Sequence, residues 1–178
     1  MKILLGDPRH STVGAHSYFT PIGIGYIGSH ILEQFKNENI ELKLCTDPKE
    51  IFDLLKNWKP DIVGISNYIW NSYLANLVCK RAKKIKSNTL CILGGPEFPA
   101  GTGQRKIENT SMDKTYDKCL KYLIDRPSVD YFVWTDGEPT FVEIIKKFKK
   151  HKFSLKSLKE KDEPIKGCVS LSLNKKKL

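Results

Sequence analysis

The sequence predicts an α/β fold: a doubly wound, mostly parallel five-stranded sheet of flavodoxin-like or Rossmann-like type, in three α/β/α layers. Three observations lead there. Short apolar runs recur between amphipathic stretches whose apolar residues are spaced by three and four; the clearest run, DIVGIS from Asp61, is apolar on both faces; and the two kinds of segment alternate along the first 150 residues.

The elements follow in order. KILLG (Lys2 to Gly6) suits a buried strand and is followed by a long polar loop, DPRHSTVGAHSYFT, and a helix from about Pro21, with proline in its first turn. Ile40 to Cys45 is the second strand, and Pro48 to Trp58 the second helix, with Asp47 as its N-cap. DIVGIS is the third strand, and Leu74, Leu77, Val78, Ala82 and Ile85 mark the third helix. TLCILGG is the fourth strand, leading through a Gly- and Thr-rich insertion to a helix over Met112 to Ile124; VDYFVWT is the fifth strand and Pro139 to Lys150 the fifth helix.

With 178 residues, 40% of them hydrophobic, the chain can bury one domain (1–150) followed by a Lys-rich C-terminal tail or linker (151–178) holding a possible short strand. The MKILLGDP start is unlike a signal peptide and no segment suits a membrane span, so a cytoplasmic protein is expected. Five cysteines lie at least a dozen residues apart without a CxxC or CxxxCxxC, which excludes a zinc knuckle or iron–sulfur cluster built from local spacing. The net charge is +10, yet Lys146 to Leu178 carries a surplus of nine, leaving +1 for the rest. That surplus reads as a solvated Lys-rich helix and tail rather than a nucleic-acid surface, since no aromatics are interleaved for stacking on bases.

In doubly wound sheets, ligands sit beyond the carboxyl ends of the strands. The loops there are GDPRHSTVGAHSYFTP, SNYIWN, GGPEFPAGTG and TDGEP, and they hold most of the unusual residues. Gly23, Gly25 and Gly28 spell GxGxxG, a dinucleotide fingerprint, but the first glycine should close the first strand, and Gly23 lies seventeen residues past Gly6. Asp47, nineteen residues after Gly28, mimics a ribose-binding acid, which keeps that rival open. Gly25 and Gly28 also suit close packing of the first helix on the sheet or against a bulky ligand.

The segments from Thr20 to Tyr26 (TPIGIGY), Pro60 to Ser66 (PDIVGIS), Ile92 to Pro96 (ILGGP) and Asp136 to Pro139 (DGEP) together resemble the cobalamin-binding domain at the N-terminus of cobalamin-dependent radical S-adenosylmethionine enzymes. The resemblance covers most of residues 1–150. It implies a cobalamin whose nucleotide tail threads into the sheet edge between loops stripped of bulk. Candidate contacts are His10, Ser11, Thr12 and Gly14 in the first loop; Pro21, Gly23 and Gly25 at the first helix; Ser66 and Tyr68 after the third strand; Gly94, Gly95, Pro96 and Glu97 after the fourth; and Gly137 and Glu138 after the fifth. Gly94 and Gly95 would supply clearance, or serve a tight turn with positive φ. Ser66 would donate a hydrogen bond to the tail, or serve a turn or cap.

Related mutase and methionine synthase domains carry DxHxxG, whose histidine ligates cobalt. Here Asp7, His10 and Gly14 read DxxHxxxG and position 9 is Arg, so no His–cobalt bond and a base-off cobalamin are expected, with no metal-ligating residue in the chain. His16 is a further loop candidate; His30 and His151 show no evident partner. The CxxxCxxC needed for a four-iron cluster is absent, so the radical chemistry, with its cluster and S-adenosylmethionine, would belong to a barrel domain or partner subunit. EPIKGCVSL resembles the exit strand toward that barrel, and the expectation is a detached or truncated cobalamin module, not catalytic alone. Two other readings stand beside it: a stand-alone nucleotide-cofactor enzyme, with Asp136 and Glu138 as an acid/base pair, and a Lys-rich interaction module.

Overall fold

The computed structural model describes residues 1–9, 20–99, 112–161 and 163–173. Its strands are β1 (Lys2–Gly6), β2 (Glu41–Cys45), β3 (Ile62–Ser66), β4 (Leu90–Gly94), β5 (Tyr131–Val133) and β6 (Cys168–Val169). Its helices are α1 (Ile22–Gln34), α2 (Pro48–Asn57), α3 (Ser72–Ile85), α4 (Met112–Ile124), α5 (Gly137–Lys150) and α6 (Leu155–Lys161). The sheet runs β2-β1-β3-β4-β5-β6, with the first five strands parallel and β6 antiparallel at the edge. The five parallel strands match the expected set. β6 is the short strand foreseen in EPIKGCVSL.

Side chains alternate across a strand, and here both faces are covered. Ile3, Leu5, Ile62, Leu90, Ile92, Tyr131 and Val133 pack under α1, α5 and α6. Leu4, Val63, Ile65, Cys91, Leu93 and Phe132 point the other way, against α2, α3 and α4. Fully burying each Leu or Ile contributes about 1.5–3 kcal/mol, so these two half-cores dominate the stability of the fold. Gly28 serves this packing: a Cβ there would lie 3.0 Å from a Leu42 methyl, so the glycine lets α1 approach the sheet.

Local signals set the helix ends. Asp47 caps α2, accepting a 2.9 Å hydrogen bond from the Glu50 amide, with Pro48 in the first turn. α5 starts two residues before Pro139, because Asp136 takes the extended backbone of an N-cap and Gly137 enters the helix.

The described residues beyond 150 pack against the body of the fold. Leu155, Leu158 and Ile165 are buried in the α1/α5 half-core, and β6 pairs with β5. The anchor is Asp130, only 2% exposed, whose carboxylate lies 2.5 Å from Lys83 of α3 and 2.6 Å from Lys159 of α6, and accepts the Cys91 amide at 2.8 Å. Sequence periodicity missed this because the Lys-rich composition masks a two-residue apolar face. Other lysines of α5 and α6 are also paired: Lys146 with Glu143, Lys149 with Glu38, Lys147 and Lys150 with Glu163, and Lys156 with Glu160. No helix among the described residues is long and apolar enough to cross a membrane.

Two stability predictions follow from these contacts. Asp130→Asn leaves two lysines facing a neutral amide and lowers unfolding free energy by about 3 kcal/mol in urea titrations. Asp47→Ala removes one cap and costs about 1 kcal/mol by the same measurement.

Candidate functional site

A cavity of about 820 Å³ opens at the carboxyl ends of β1, β3, β4 and β5. Its position follows from topology. The connection after β1 runs to α1 on one face of the sheet, whereas that after β3 runs to α3 on the other, and adjacent strands with diverging connections leave a crevice between them. Leu5, Gly64, Ile92 and Phe141 line its apolar part, with Pro21, Gly23 and Ile27 from α1 and its entry. Ser66, Tyr68 and Trp70 border it after β3, Gly94 and Gly95 after β4, and Thr135, Gly137 and Glu138 after β5.

The glycines there answer to different constraints. Gly95 has φ +134°, and a Cβ on it would lie 2.6 Å from the Asn67 carbonyl oxygen, so the backbone demands glycine. Gly64 lies beneath Phe141, whose ring would be 2.7 Å from an added Cβ. Gly23 is different: nothing lies within 4 Å of a Cβ built on it. Gly94 has ordinary φ and would meet Val133 only at contact distances of 3.4 and 3.5 Å. The space beside Gly23 and Gly94 is therefore open for reasons other than packing.

The polar side of the cavity is built at the end of β1. Past Gly6 the chain stays extended beside β2, with the Asp7 amide donating to Cys45 O at 2.9 Å and the Arg9 amide to Thr46 O at 3.1 Å. Asp7 then receives two partners on different oxygens: the Ser66 hydroxyl donates to Oδ1 at 2.5 Å, and Arg9 Nη2 lies 3.0 Å from Oδ2. All three residues line the cavity.

The loop after β3 is fixed from below. Asn71, fully buried, accepts from the Tyr68 amide at 2.8 Å and donates to Pro8 O at 3.2 Å, and Asn67 donates to Glu97 O and to Tyr122 Oη, both at 2.8 Å. Burial pushes the Tyr122 phenol upward, against the opposing pull of Arg126 and the hydrogen bond from Asn67. Above this base Tyr68 and Trp70 stack at 4.5 Å with a 7° interplanar angle. Ile22, Tyr26, Ile69, Tyr73 and Trp134 are exposed at the same end, Ile69 and Tyr73 at 76% and 83%.

Of the residues foreseen from sequence, Pro21, Gly23, Ser66, Tyr68, Gly94, Gly95, Gly137 and Glu138 meet at the cavity. His10, Ser11, Thr12, Gly14 and His16 lie outside the described residues. The structure places three of the candidates differently. Gly25 does not line the cavity, because two helical steps turn it about 200° away from Gly23. Pro96 and Glu97 border a separate cleft of about 230 Å³ with Phe98, Pro99 and Tyr122, since the Gly95 turn and the Glu97 N–Asn67 O bond carry the chain toward α4. Ser66 is at the cavity, but its hydroxyl donates to Asp7 rather than outward.

Sequence reading missed Asp7, Arg9, Thr135 and the Tyr68–Trp70 stack. The departure of position 9 from DxHxxG was the available signal for Arg9. Asp136 is exposed and does not line the cavity with Glu138, so the acid/base pair does not assemble. His30 is away from the cavity, and His151 Nδ1 is 2.9 Å from Ser157 Oγ. Burial pushes the Cys168 thiol up to about 12, and burial together with Glu50 does the same for Cys45, so neither is a nucleophile at neutral pH. Among the described residues no cluster of three or more His, Cys, Asp or Glu is arranged to hold a metal ion.

No protein-family model matches the chain. It is 29% identical over 150 residues to an uncharacterized methyltransferase of Pyrococcus horikoshii, a match that takes in 82% of this chain and 29% of that protein. The chain thus spans less than a third of the length of this curated relative.

The two adjacent glycines after β4 are expected to respond in opposite ways to the same change. Gly95→Ala meets both the positive φ and the Asn67 backbone and lowers stability by about 2 kcal/mol or more. Gly94→Ala leaves the thermal unfolding midpoint at or above that of the unaltered protein, as differential scanning calorimetry would record.

Proposed function

We propose that this chain is a cobalamin-binding module of a radical S-adenosylmethionine type system. The reading is carried by the switch-point cavity whose wall glycines, Gly23 and Gly94, are bare without any packing or backbone need. A ligand that fills the crevice supplies the reason. The fit to cobalamin rests on three features: the clearance at Gly23 and Gly94, the mainly apolar walls from Leu5 to Phe141, and a small set of polar groups at Asp7, Arg9, Ser66 and Thr135.

When bound, cobalamin supplies a metal centre for methyl or electron transfer. The residues of this chain bind and orient it: the glycines admit its bulk, the apolar wall excludes water, and the backbone amides at the start of α1 and α5 offer donors to its amide and phosphate oxygens. Methyl transfer is also the activity in the name of the Pyrococcus relative. The exposed apolar side chains around the mouth suit burial under a barrel domain or subunit carrying the iron–sulfur cluster.

The rival readings gain less from the structure. The classic dinucleotide order places three strands in sequence on one side, 3-2-1-4-5-6, whereas this sheet runs 2-1-3-4-5-6. Asp47, the ribose-binding candidate, is committed to the α2 cap and does not line the cavity. Six of the nine described lysines from Lys146 onward, Lys146, Lys147, Lys149, Lys150, Lys156 and Lys159, are paired with acids.

Gel filtration after incubation with hydroxocobalamin tests the proposal. The protein should retain the visible corrin absorption, and Gly94→Leu and Gly23→Leu should lose it while keeping the far-ultraviolet circular dichroism and melting transition. Retention of nicotinamide or flavin instead of corrin would overturn the reading.

A further inference from the structure

β2 closes one side of the sheet and, among the described residues, pairs with β1 alone. Its Glu41 amide donates to Met1 O and its Cys45 carbonyl accepts the Asp7 amide, each at 2.9 Å, so the backbone groups of Glu41, Lys43 and Cys45 are turned toward β1. Those of the alternate residues, Leu42 and Leu44, are turned outward. Such a row of outward donors and acceptors is a template for another strand. One flank of it is apolar: a Cβ on Gly28 of α1 would lie 3.0 and 3.4 Å from methyls of Leu42 and Leu44, and Leu32, four residues on, continues that side of the helix. Leu44 and Leu32 are 48% and 47% exposed.

The other flank carries Glu41 and Lys43, both exposed and both set by Trp58 at the end of α2: Trp58 Nε1 donates to Glu41 Oε2 at 3.2 Å, and Lys43 Nζ lies 4.9 Å from the ring centroid. Neither takes part in an ion pair among the described residues. A lysine on an edge strand ordinarily deters pairing. Here an acid stands two residues before it, and that spacing makes the edge complementary to itself. In an antiparallel pairing of two copies centred on Leu42, the two Leu42 residues exchange both backbone bonds and Leu44 meets the partner's Ile40. Glu41 then lies opposite the partner's Lys43 on both sides of the axis, in the closer, non-hydrogen-bonded positions where side chains meet. Centred on Glu41 or on Lys43, the same strand sets like charges face to face; centred on Leu44, it sets Lys43 against the partner's Cys45. We infer that the β2 edge is an isologous docking surface for a second copy of this chain, joining two sheets into one across a two-fold axis. None of its residues lines the cavity, so the inference stands apart from the cobalamin reading.

Sedimentation velocity of the full chain at low ionic strength is the test. The unaltered protein should show a concentration-dependent equilibrium between monomer and dimer. Lys43→Glu and Glu41→Lys each set two like-charged pairs across the axis and should weaken the dimer by about tenfold or more. Mixed in equal amounts, the two variants should associate again, because every charge then meets its opposite. The double variant Glu41→Lys/Lys43→Glu should dimerise like the unaltered chain, and it decides the matter if a single variant does not fold. An unaltered chain that stays monomeric at every concentration would overturn the inference, and so would a dimer that both single variants leave unchanged. Loss of the dimer in the single variants with no recovery in the mixture or in the double variant would overturn it too, since loss alone reports a damaged edge rather than a self-complementary one.

Discussion

The parallel pairing of β1 with β3 is the contact on which the rest of the site depends. Its register sets Leu5 beside Gly64 and Gly6 beside Ile65, so the next residues on each strand, Asp7 and Ser66, arrive side by side and share a hydrogen bond. The same pairing joins two strands whose connections diverge to opposite faces, which opens the crevice above them. A slip of one residue would turn Leu5 into the α2/α3 half-core and break the polar relay at once. Fold and site thus rest on one register, held by Ile3, Leu4, Ile62 and Val63, all of them fully buried.

Much of the fold was legible because a parallel strand covered on both faces must be apolar throughout. IVGIS and LCILG meet that demand, and the helices between carry period-3.6 apolar faces. The limits were equally physical. α6 shows only Leu155 and Leu158 to the core, too few for periodicity to reveal, and its main tether is an ion pair with Asp130 in another part of the chain. Sequence spacing has no access to such long-range pairs.

The site was partly legible for a similar reason. Glycines at strand ends are visible in sequence, but whether each serves ligand, turn or packing depends on neighbours distant along the chain. Gly95 faces the Asn67 backbone, Gly28 faces Leu42, and Gly23 faces open space; three glycines that look alike in sequence answer three constraints. Asp7 and Ser66 lie 59 residues apart, so their bond could not be read before the strand order was known.

In the proposed reading, the crevice above β1 and β3 takes a corrin rather than a nucleotide cofactor. Equilibrium dialysis of the protein against hydroxocobalamin, with nicotinamide dinucleotide and flavin mononucleotide present in excess as competitors, tests it most directly. The account predicts one corrin bound per chain and no displacement by either competitor. Bound nicotinamide or flavin with the corrin left in the outer solution would contradict it.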